Sequence, residues 1–410
     1  YFIVSSKPDP SKEWGVYLVD IFDNMTLLME LPGHMLLEPI PFRKSPKPPV
    51  IPDKIDLARD DATVYLSDIY EGPGLDGVPA GTVKKLRLYE FHYSYNQMGG
   101  HIDIGVEGPW DVHRILGTVP VYEDGSAYFR VPANTPIALQ PLDEEGKAVQ
   151  LMRSWFTAMP GEVLSCVGCH EPQNSTAPVH LTAASRRPAT DIEEWYGPAR
   201  GFSFKREVQP VLDRHCVRCH DGEERPNGAR LIDFTAKEKN GWGNFTPSYL
   251  ALHPFVRRPG PESDYHIFKP TEYAADTSEL IQMLKKGHHG VQLDAESWDR
   301  LYTWIDLNVP DHGTWGERAA IPGDFHARRC AMRAEFAGRP EDPEFIPETH
   351  PFADAPEPTW SERPPERPAP PELPGWPLTT EDALALQKAG VDTVERVFEQ
   401  IGRASCRERV

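Results

Sequence analysis

Alternation of apolar and polar positions predicts β-structure in the first part of the chain. Residues 1–45 contain two runs rich in β-formers, within WGVYLVDIFDNMTLLMELPG, on either side of Asp23 and Asn24, which is a hairpin pattern. An isolated hairpin is barely stable, so we expect residues 1–45 to be the remnant of a larger all-β domain. Residues 46–56 are rich in proline and lack periodicity, which predicts an extended linker.

The β-pattern resumes after the linker. The segments ATVYLSDIY, GTVKKLRLYEF, SAYFRVP and PIALQPLD alternate or are rich in branched and aromatic residues, and turns such as EDGS and DEEGK separate them. We therefore expect residues 57–199 to form a β-rich domain that carries a first cysteine pair toward its C-terminal end.

The period changes to that of a helix after residue 200. In FSFKREVQPVLDRHC the apolar residues share one helical face that leads into a second cysteine pair. Asp276 and Glu279 resemble a capping pair before a helix that ends at Gly287, and Asp294 is the expected N-cap of a helix followed by Pro310. These signals predict a small α-helical domain over residues 200–321.

The last part of the chain has no predicted core. Residues 322–377 read as a proline-rich spacer, and residues 378–400 as a short amphipathic helix. The final segment, 401–410, resembles a translated sequencing adapter, so Cys406 is set aside as an artefact. The chain opens in mid-strand without an initiator Met, and we expect a signal peptide upstream of it.

Composition narrows the class of protein. The 410 residues carry a formal net charge of -19, which argues against nucleic acid as a partner, since such binders concentrate Lys and Arg. No apolar run is long enough to predict a membrane span. The cysteines are few, and their arrangement does not predict a disulfide-stabilised fold.

Four of the six cysteines lie in two CxxCH motifs. Cys166 and Cys169 precede His170, and Cys216 and Cys219 precede His220. Two intervening residues place both sulfurs within reach of two haem vinyl groups, and the histidine is then carried beneath the iron. The motifs predict two covalently bound haem c groups, and such attachment implies a periplasmic or otherwise extracytoplasmic location.

Two other uses of these motifs stay open. The cysteine pairs could bind zinc, although 46 residues separate Cys169 from Cys216 and zinc ribbons usually have ~15–20. Redox-active dithiols are the other alternative.

Axial ligands of the irons are the next expectation. His170 and His220 are the proximal ligands, and His288 or His289 is the distal candidate at the second haem, with Met283 as the softer alternative. Arg257 or Arg258 could clamp a haem propionate. Sixth-ligand candidates for the first haem are His92, His101, His113 and His180. Without a sixth ligand, the first iron could bind small molecules.

The segment from GPWDVHRILGTVPVYEDGSAYFRVP to VLSCVGCHE resembles the middle domain of the hydrazine synthase alpha subunit family. The segment from FSFKREVQPVLDRHCVRCHDG to LYTWIDLNVP is similar to the cytochrome domain that follows in that family. The resemblance implies that residues 1–45 are the last blade of a β-propeller. The implied fold class is therefore multidomain α+β: a truncated propeller blade, a β-rich haem-bearing middle domain, a small α-helical cytochrome c-like domain and a proline-rich tail.

The sequence departs from the family pattern shortly after the first motif. In hydrazine synthase a tyrosine shortly after the motif takes the iron of the middle domain, and the motif histidine turns to zinc. Here the residue four positions beyond His170 is Asn174, and no tyrosine follows before Tyr196. We therefore expect His170 to ligate iron in the ordinary way and do not expect hydrazine formation.

The sequence leaves three functions open. The leading expectation is an extracytoplasmic dihaem cytochrome c that transfers electrons to or from a partner redox protein. The alternatives are a haem-dependent oxidoreductase, acting on a small nitrogen or oxygen compound at the first haem, and a propeller-based binding module whose haems only poise it.

Overall fold

The computed structural model describes residues 1–50, 53–170, 174, 181–226, 228, 230–238, 243–263 and 266–352. The chain divides into two compact units, Tyr1–Asp53 and the part from Lys54 onward. The predicted helix at 378–400 and the predicted artefact at 401–410 lie outside the described residues.

The first unit contains one antiparallel sheet of three strands, in the order β1-β2-β3. The strands are β1 (Phe2–Ser6), β2 (Gly15–Val19) and β3 (Met25–Met29). The predicted hairpin joins β2 and β3, and the Asp20 carboxylate closes it by accepting hydrogen bonds from the backbone nitrogens of Phe22 at 2.8 Å and Asn24 at 3.0 Å. The assignment of this sheet to a propeller blade stays a prediction.

The second unit begins with two sheets packed over one core. A three-stranded sheet has the order β7-β4-β9, and a four-stranded sheet has the order β10-β6-β5-β8. Side chains of β4 alternate between buried and half-buried, as the sequence pattern predicts for a strand with one face in the core. The strands are β4 (Asp61–Leu66), β5 (Lys85–His92), β6 (Val112–Pro120), β7 (Ala127–Pro132), β8 (Ile137–Leu142), β9 (Val163–Cys166) and β10 (Arg200–Gly201).

Helices follow the sheets, as the change of period predicts. They are α1 (Gln209–His215), α2 (Pro247–Leu252), α3 (Glu279–Lys285), α4 (Ala295–Asp306), α5 (Trp315–Arg318) and α6 (Phe325–Ala337). A π-helix, Phe204–Val208, leads into α1. The helices do not have a core of their own, because Tyr89 and Ile115 of the sheet pack in the same cluster as Phe204 and Trp304.

A buried ion network joins the last strand to the helices. The Glu207 carboxylate, which is fully buried, accepts hydrogen bonds from Arg200 Nε at 2.7 Å and Nη2 at 3.1 Å. Arg300 of α4 binds the same carboxylate through Nη1 and binds Glu296 at 2.6 Å. The network therefore fixes β10, the π-helix and α4 to one another.

Two local predictions differ from the structure. Ser278, not Asp276, occupies the N-cap position of α3, and the Asp276 carboxylate instead binds Lys147 Nζ at 2.6 Å and Lys285 Nζ at 3.1 Å. The predicted spacer contains α6, because residues 325–337 are rich in Ala and Arg and lack proline. Asp294 is confirmed as the N-cap of α4, accepting from Ser297 N at 2.8 Å.

Among the described residues, no helix is both long enough and apolar enough to cross a membrane.

Candidate haem-binding site

The second motif extends α1 as a compact turn. Cys216 follows the last helical residue, and its N–H donates to Leu212 O at 2.8 Å. The N–H groups of Cys219 and His220 both donate to the carbonyl of Cys216, at 3.0 and 2.9 Å. This turn brings both sulfurs and the histidine to one end of the helix, which is the arrangement that thioether attachment requires.

The His220 ring is oriented by a backbone carbonyl. Its Nδ1 lies 3.2 Å from Ile232 O, which can only accept a hydrogen bond, so Nδ1 carries the proton and Nε2 keeps its lone pair. The ring of Phe234 packs at 4.9 Å between ring centres, and Phe234 N donates to His220 O at 2.8 Å. A metal-bound histidine usually donates its other ring N–H to a carbonyl or carboxylate in this way.

His288 faces this ring from the opposite segment. The ring centres of His220 and His288 are 6.0 Å apart, and their planes differ by 25°. With metal–imidazole bonds of about 2 Å and about 1 Å from nitrogen to ring centre, two imidazoles on opposite sides of one ion have centres about 6 Å apart. The separation of the two ring centres therefore matches that of two imidazoles that would bind one ion from opposite sides.

His289 and Met283 fit less well. The His289 ring is 4.8 Å from that of His288 at an angle of 80°, and its side chain is exposed. Met283 packs, half-buried, against the hydrophobic core. His288 is half-buried, and the geometry favours it over both neighbours as the partner of His220.

Burial sets the electrostatics of this end of α1. It lowers the pKa of His220 and of His288 below the ordinary value, and the charges of nearby histidines lower the pKa of His288 further. Burial also raises the pKa of the Cys216 thiol to about 12. Neutral imidazoles in an apolar setting are suited to bind a metal ion.

The first motif is held against β4 and the segment after it. Cys166 is the last residue of β9, which pairs in parallel with β4, and its carbonyl accepts from Ser67 N at 3.0 Å. The Cys169 carbonyl accepts from Gly74 N at 3.1 Å. Both cysteine side chains are half-buried against the core between the sheets.

Two glycines permit this close approach, and sequence reasoning missed both. A Cβ atom at Gly168 would lie 2.2 Å from Glu71 O, and one at Gly74 would lie 2.5 Å from Cys169 Sγ. The first glycine occupies a variable position of the motif, and the second lies far from it in sequence. His170 follows with φ of 58° and an exposed side chain, so its ring is accessible to a group bound at the two sulfurs.

The histidines predicted as sixth ligands of the first haem contact aromatic rings or a carboxylate where the structure describes them. His113 packs between Tyr89 and Phe91, with ring centres 4.7 and 5.0 Å away, and burial lowers its pKa to about 4. His92 is buried 3.3 Å from the Glu344 carboxylate, measured from Nε2 to Oε1. The His101 ring packs at 6.0 Å from Trp110. His180 lies outside the described residues.

Asn174 and Tyr196, the two residues compared above with the iron-binding tyrosine of hydrazine synthase, are both described by the structure. Asn174 is an exposed turn residue. The Tyr196 ring packs 5.2 Å from Trp195, and the guanidinium of Arg300 lies 5.0 Å from its centre. Tyr196 is therefore part of the surroundings of the buried ion network.

The two arginines predicted to clamp a haem propionate, Arg257 and Arg258, make different contacts. Arg258 is bound within the protein, with Nε donating to Val106 O at 3.0 Å. Arg257 lines a cavity of about 970 Å³, together with Pro73, Lys147, Phe268 and Gln282. Pro73 precedes the glycine that contacts Cys169 Sγ, so the cavity reaches the segment that supports the first motif.

Comparison with known proteins finds a family and a solved structure that resemble the chain. A family described as hydrazine synthase alpha subunit middle domain matches residues 81–171. Among solved structures, the Kuenenia stuttgartiensis hydrazine synthase matches with a TM-score of 0.52 at 16% identity, over 76% of this chain and 54% of that one. The chain thus spans about half the length of that relative. No curated protein matches the chain. Residues 81–171 thus match the middle-domain family of the hydrazine synthase alpha subunit, and the chain shares its multidomain α+β fold with the Kuenenia stuttgartiensis hydrazine synthase.

Proposed function

We propose that the chain is an extracytoplasmic dihaem c-type cytochrome that transfers electrons to or from a partner redox protein. The observation that carries the proposal is the pairing of His220 with His288 beside the second CxxCH motif, with ring centres 6.0 Å apart. The hydrazine synthase alpha-like family supports haem as the cofactor, and the first motif has the same donor set as the second.

Haem bound at each motif would supply a one-electron iron couple. At the second motif, Cys216 and Cys219 would hold the porphyrin edge, and His220 and His288 would occupy both axial positions. Two imidazole ligands favour a lower reduction potential than a Met/His pair. The Ile232 carbonyl keeps the Nδ1 proton of His220 in place, so Nε2 would be available to ligate iron without loss of a proton.

At the first motif, Cys166 and Cys169 would hold haem and His170 would ligate its iron. The parallel pairing of β9 with β4 fixes Cys166, and the Gly74 N–H fixes the Cys169 carbonyl. The proposal includes export of the chain, because CxxCH motifs acquire haem outside the cytoplasm.

Paired cysteine variants test the proposal. We expect a pyridine haemochrome of two haems per chain when the protein is matured with a haem-attachment system and an export signal. Each of Cys166→Ala/Cys169→Ala and Cys216→Ala/Cys219→Ala should retain one. A chain that carries zinc instead, or that acquires haem equally without export, would contradict the assignment.

The cavity favours a second candidate, a haem-dependent oxidoreductase acting on a small nitrogen or oxygen compound at the first haem. This cavity reaches the segment next to Cys169, and concave sites of this size bind small molecules. Binding of CO, NO or cyanide separates the two functions. An electron carrier with both irons six-coordinate should leave all three unbound, whereas binding to one haem, retained in the Cys216→Ala/Cys219→Ala variant, would support the enzyme.

A further inference from the structure

A third group of metal-ligating side chains lies away from both CxxCH motifs. His326 and Cys330 are one turn apart on α6, and Asp342 follows in the segment after the helix. We call these three residues the α6 triad. One ligand atom from each lies within 4.8 Å of the others, and no other such group of His, Cys, Asp or Glu occurs among the described residues.

The imidazole and the thiol of the α6 triad both lie close to one oxygen of the Asp342 carboxylate. His326 Nε2 lies 2.8 Å from Asp342 Oδ1, and Cys330 Sγ lies 3.9 Å from the same oxygen. In a tetrahedral zinc site with bonds of about 2.0–2.3 Å, neighbouring nitrogen and oxygen ligands are about 3.3 Å apart, and sulfur and oxygen about 3.6 Å. The observed separations differ from these by about half an ångström or less, which side-chain rotation can supply.

The arrangement differs from a catalytic Cys–His–Asp triad. There the histidine lies between the thiol and the carboxylate, whereas here one carboxylate oxygen approaches both the imidazole and the sulfur. A metal ion would replace the thiol proton.

The ligand segment is already ordered by its neighbours. Asp342 Oδ1 accepts from Glu344 N at 2.8 Å, and Phe345 N donates to Asp342 O at 3.1 Å. Glu344 Oε2 in turn accepts from Gly316 N at 2.9 Å, which ties the segment to α5. Hydrogen bonds of this kind orient metal-ligating carboxylates.

We propose that the α6 triad binds one Zn²⁺ ion, with His326, Cys330 and Asp342 as protein ligands and water as the fourth. Imidazole, thiolate and carboxylate together suit zinc. The side chains of His326 and Asp342 are 38% and 46% exposed, so solvent reaches the fourth position. The ion would cross-link α6 to the segment that follows it.

Zinc content and X-ray absorption at the zinc edge of the haem-loaded protein test this proposal. The starting protein is Cys406→Ser, which removes the cysteine that lies outside the described residues. We expect one zinc per chain with one sulfur at about 2.3 Å and nitrogen or oxygen at about 2.0–2.1 Å. In titrations against a chelating dye, Cys330→Ser and Asp342→Asn should each weaken zinc binding at least ~10-fold.

Three outcomes would overturn the proposal. They are a protein that binds no zinc, bound zinc without a sulfur ligand, and a Cys330→Ser variant that binds with unchanged affinity and spectrum. The haem spectrum of each variant serves as the check on folding. Because zinc is measured with both haems attached, failure at the α6 triad is distinct from failure of the CxxCH assignment.

Discussion

The substitution Glu207→Ala removes the centre of the buried ion network. Glu207 has no exposed side-chain surface, and its carboxylate binds the guanidinium groups of Arg200 and Arg300, which are 2% and 1% exposed. Arg300 would keep Glu296, but Arg200 would keep only neutral carbonyls, those of Trp195 at 3.2 Å and Pro198 at 3.1 Å. One buried cation is thus left without a counter-charge.

Breaking a buried ion pair on one side costs about 3–5 kcal/mol. Since each kcal/mol shifts Tm by about 2–4 °C in domains of 150–250 residues, the expected fall in Tm is roughly 6–20 °C. The loss should reach the second motif, because Glu207 lies in the π-helix that leads through α1 to Cys216.

Thermal and urea unfolding of the haem-loaded protein, followed by circular dichroism and by haem absorption, measure this loss. Glu296→Ala is the matched control, since Arg300 then keeps Glu207, and we expect it to lose less than about 2 kcal/mol. A Glu207→Ala variant that loses less than about 1 kcal/mol, or no more than the control, would refute the reasoning.

Three further predictions concern the motifs and the core. His288→Ala should convert the second haem to a high-spin, ligand-accessible form, whereas His289→Ala should leave its absorption spectrum unchanged. Gly74→Ala should destabilise the protein by about 1–3 kcal/mol in urea unfolding, because its Cβ would lie 2.5 Å from Cys169 Sγ. The pKa of buried His113 is lowered to about 4, so the unfolded state binds more protons than the folded state between pH 6.5 and 4. The free energy of unfolding should therefore fall as the pH falls through this range. The fall should be smaller in His113→Phe.

Each of these three predictions has an outcome that would contradict it. A high-spin shift in the His289 variant alone would reverse the ligand assignment. For the glycine, Gly316→Ala is the control, since its nearest atom would lie at 3.4 Å, and equal losses in both variants would remove the steric argument. An identical pH dependence with and without His113 would mean that this imidazole is not the group that titrates.

Much of the architecture could be predicted from local pattern. Period-two alternation predicts β4 and its neighbours, and Asp294 marks the start of α4 through its own hydrogen bond to Ser297. The proline-rich tail concealed α6, because composition over a long window outweighed the local run of helix formers. The cap of α3 was misassigned because Asp276 is used in ion pairs with distant lysines, which no local pattern reveals.

The candidate site shows the same division. The CxxCH motifs predict the cysteines and the proximal histidines, because those residues lie within five consecutive positions. The partner of His220 could be narrowed only to His288, His289 or Met283, because the choice depends on which side chain of α3 and the loop after it lies beside the His220 ring. Gly74 and the Ile232 carbonyl act through contacts distant in sequence or through backbone atoms, and no residue pattern reports them.

Mass spectrometry of the mature protein tests the central claim most directly. Intact protein should carry two haem masses, one on the peptide that contains Cys166 and Cys169 and the other on the peptide that contains Cys216 and Cys219. A chain of unmodified mass in which all four motif cysteines can be alkylated, after expression with a competent haem-attachment system, would contradict the account.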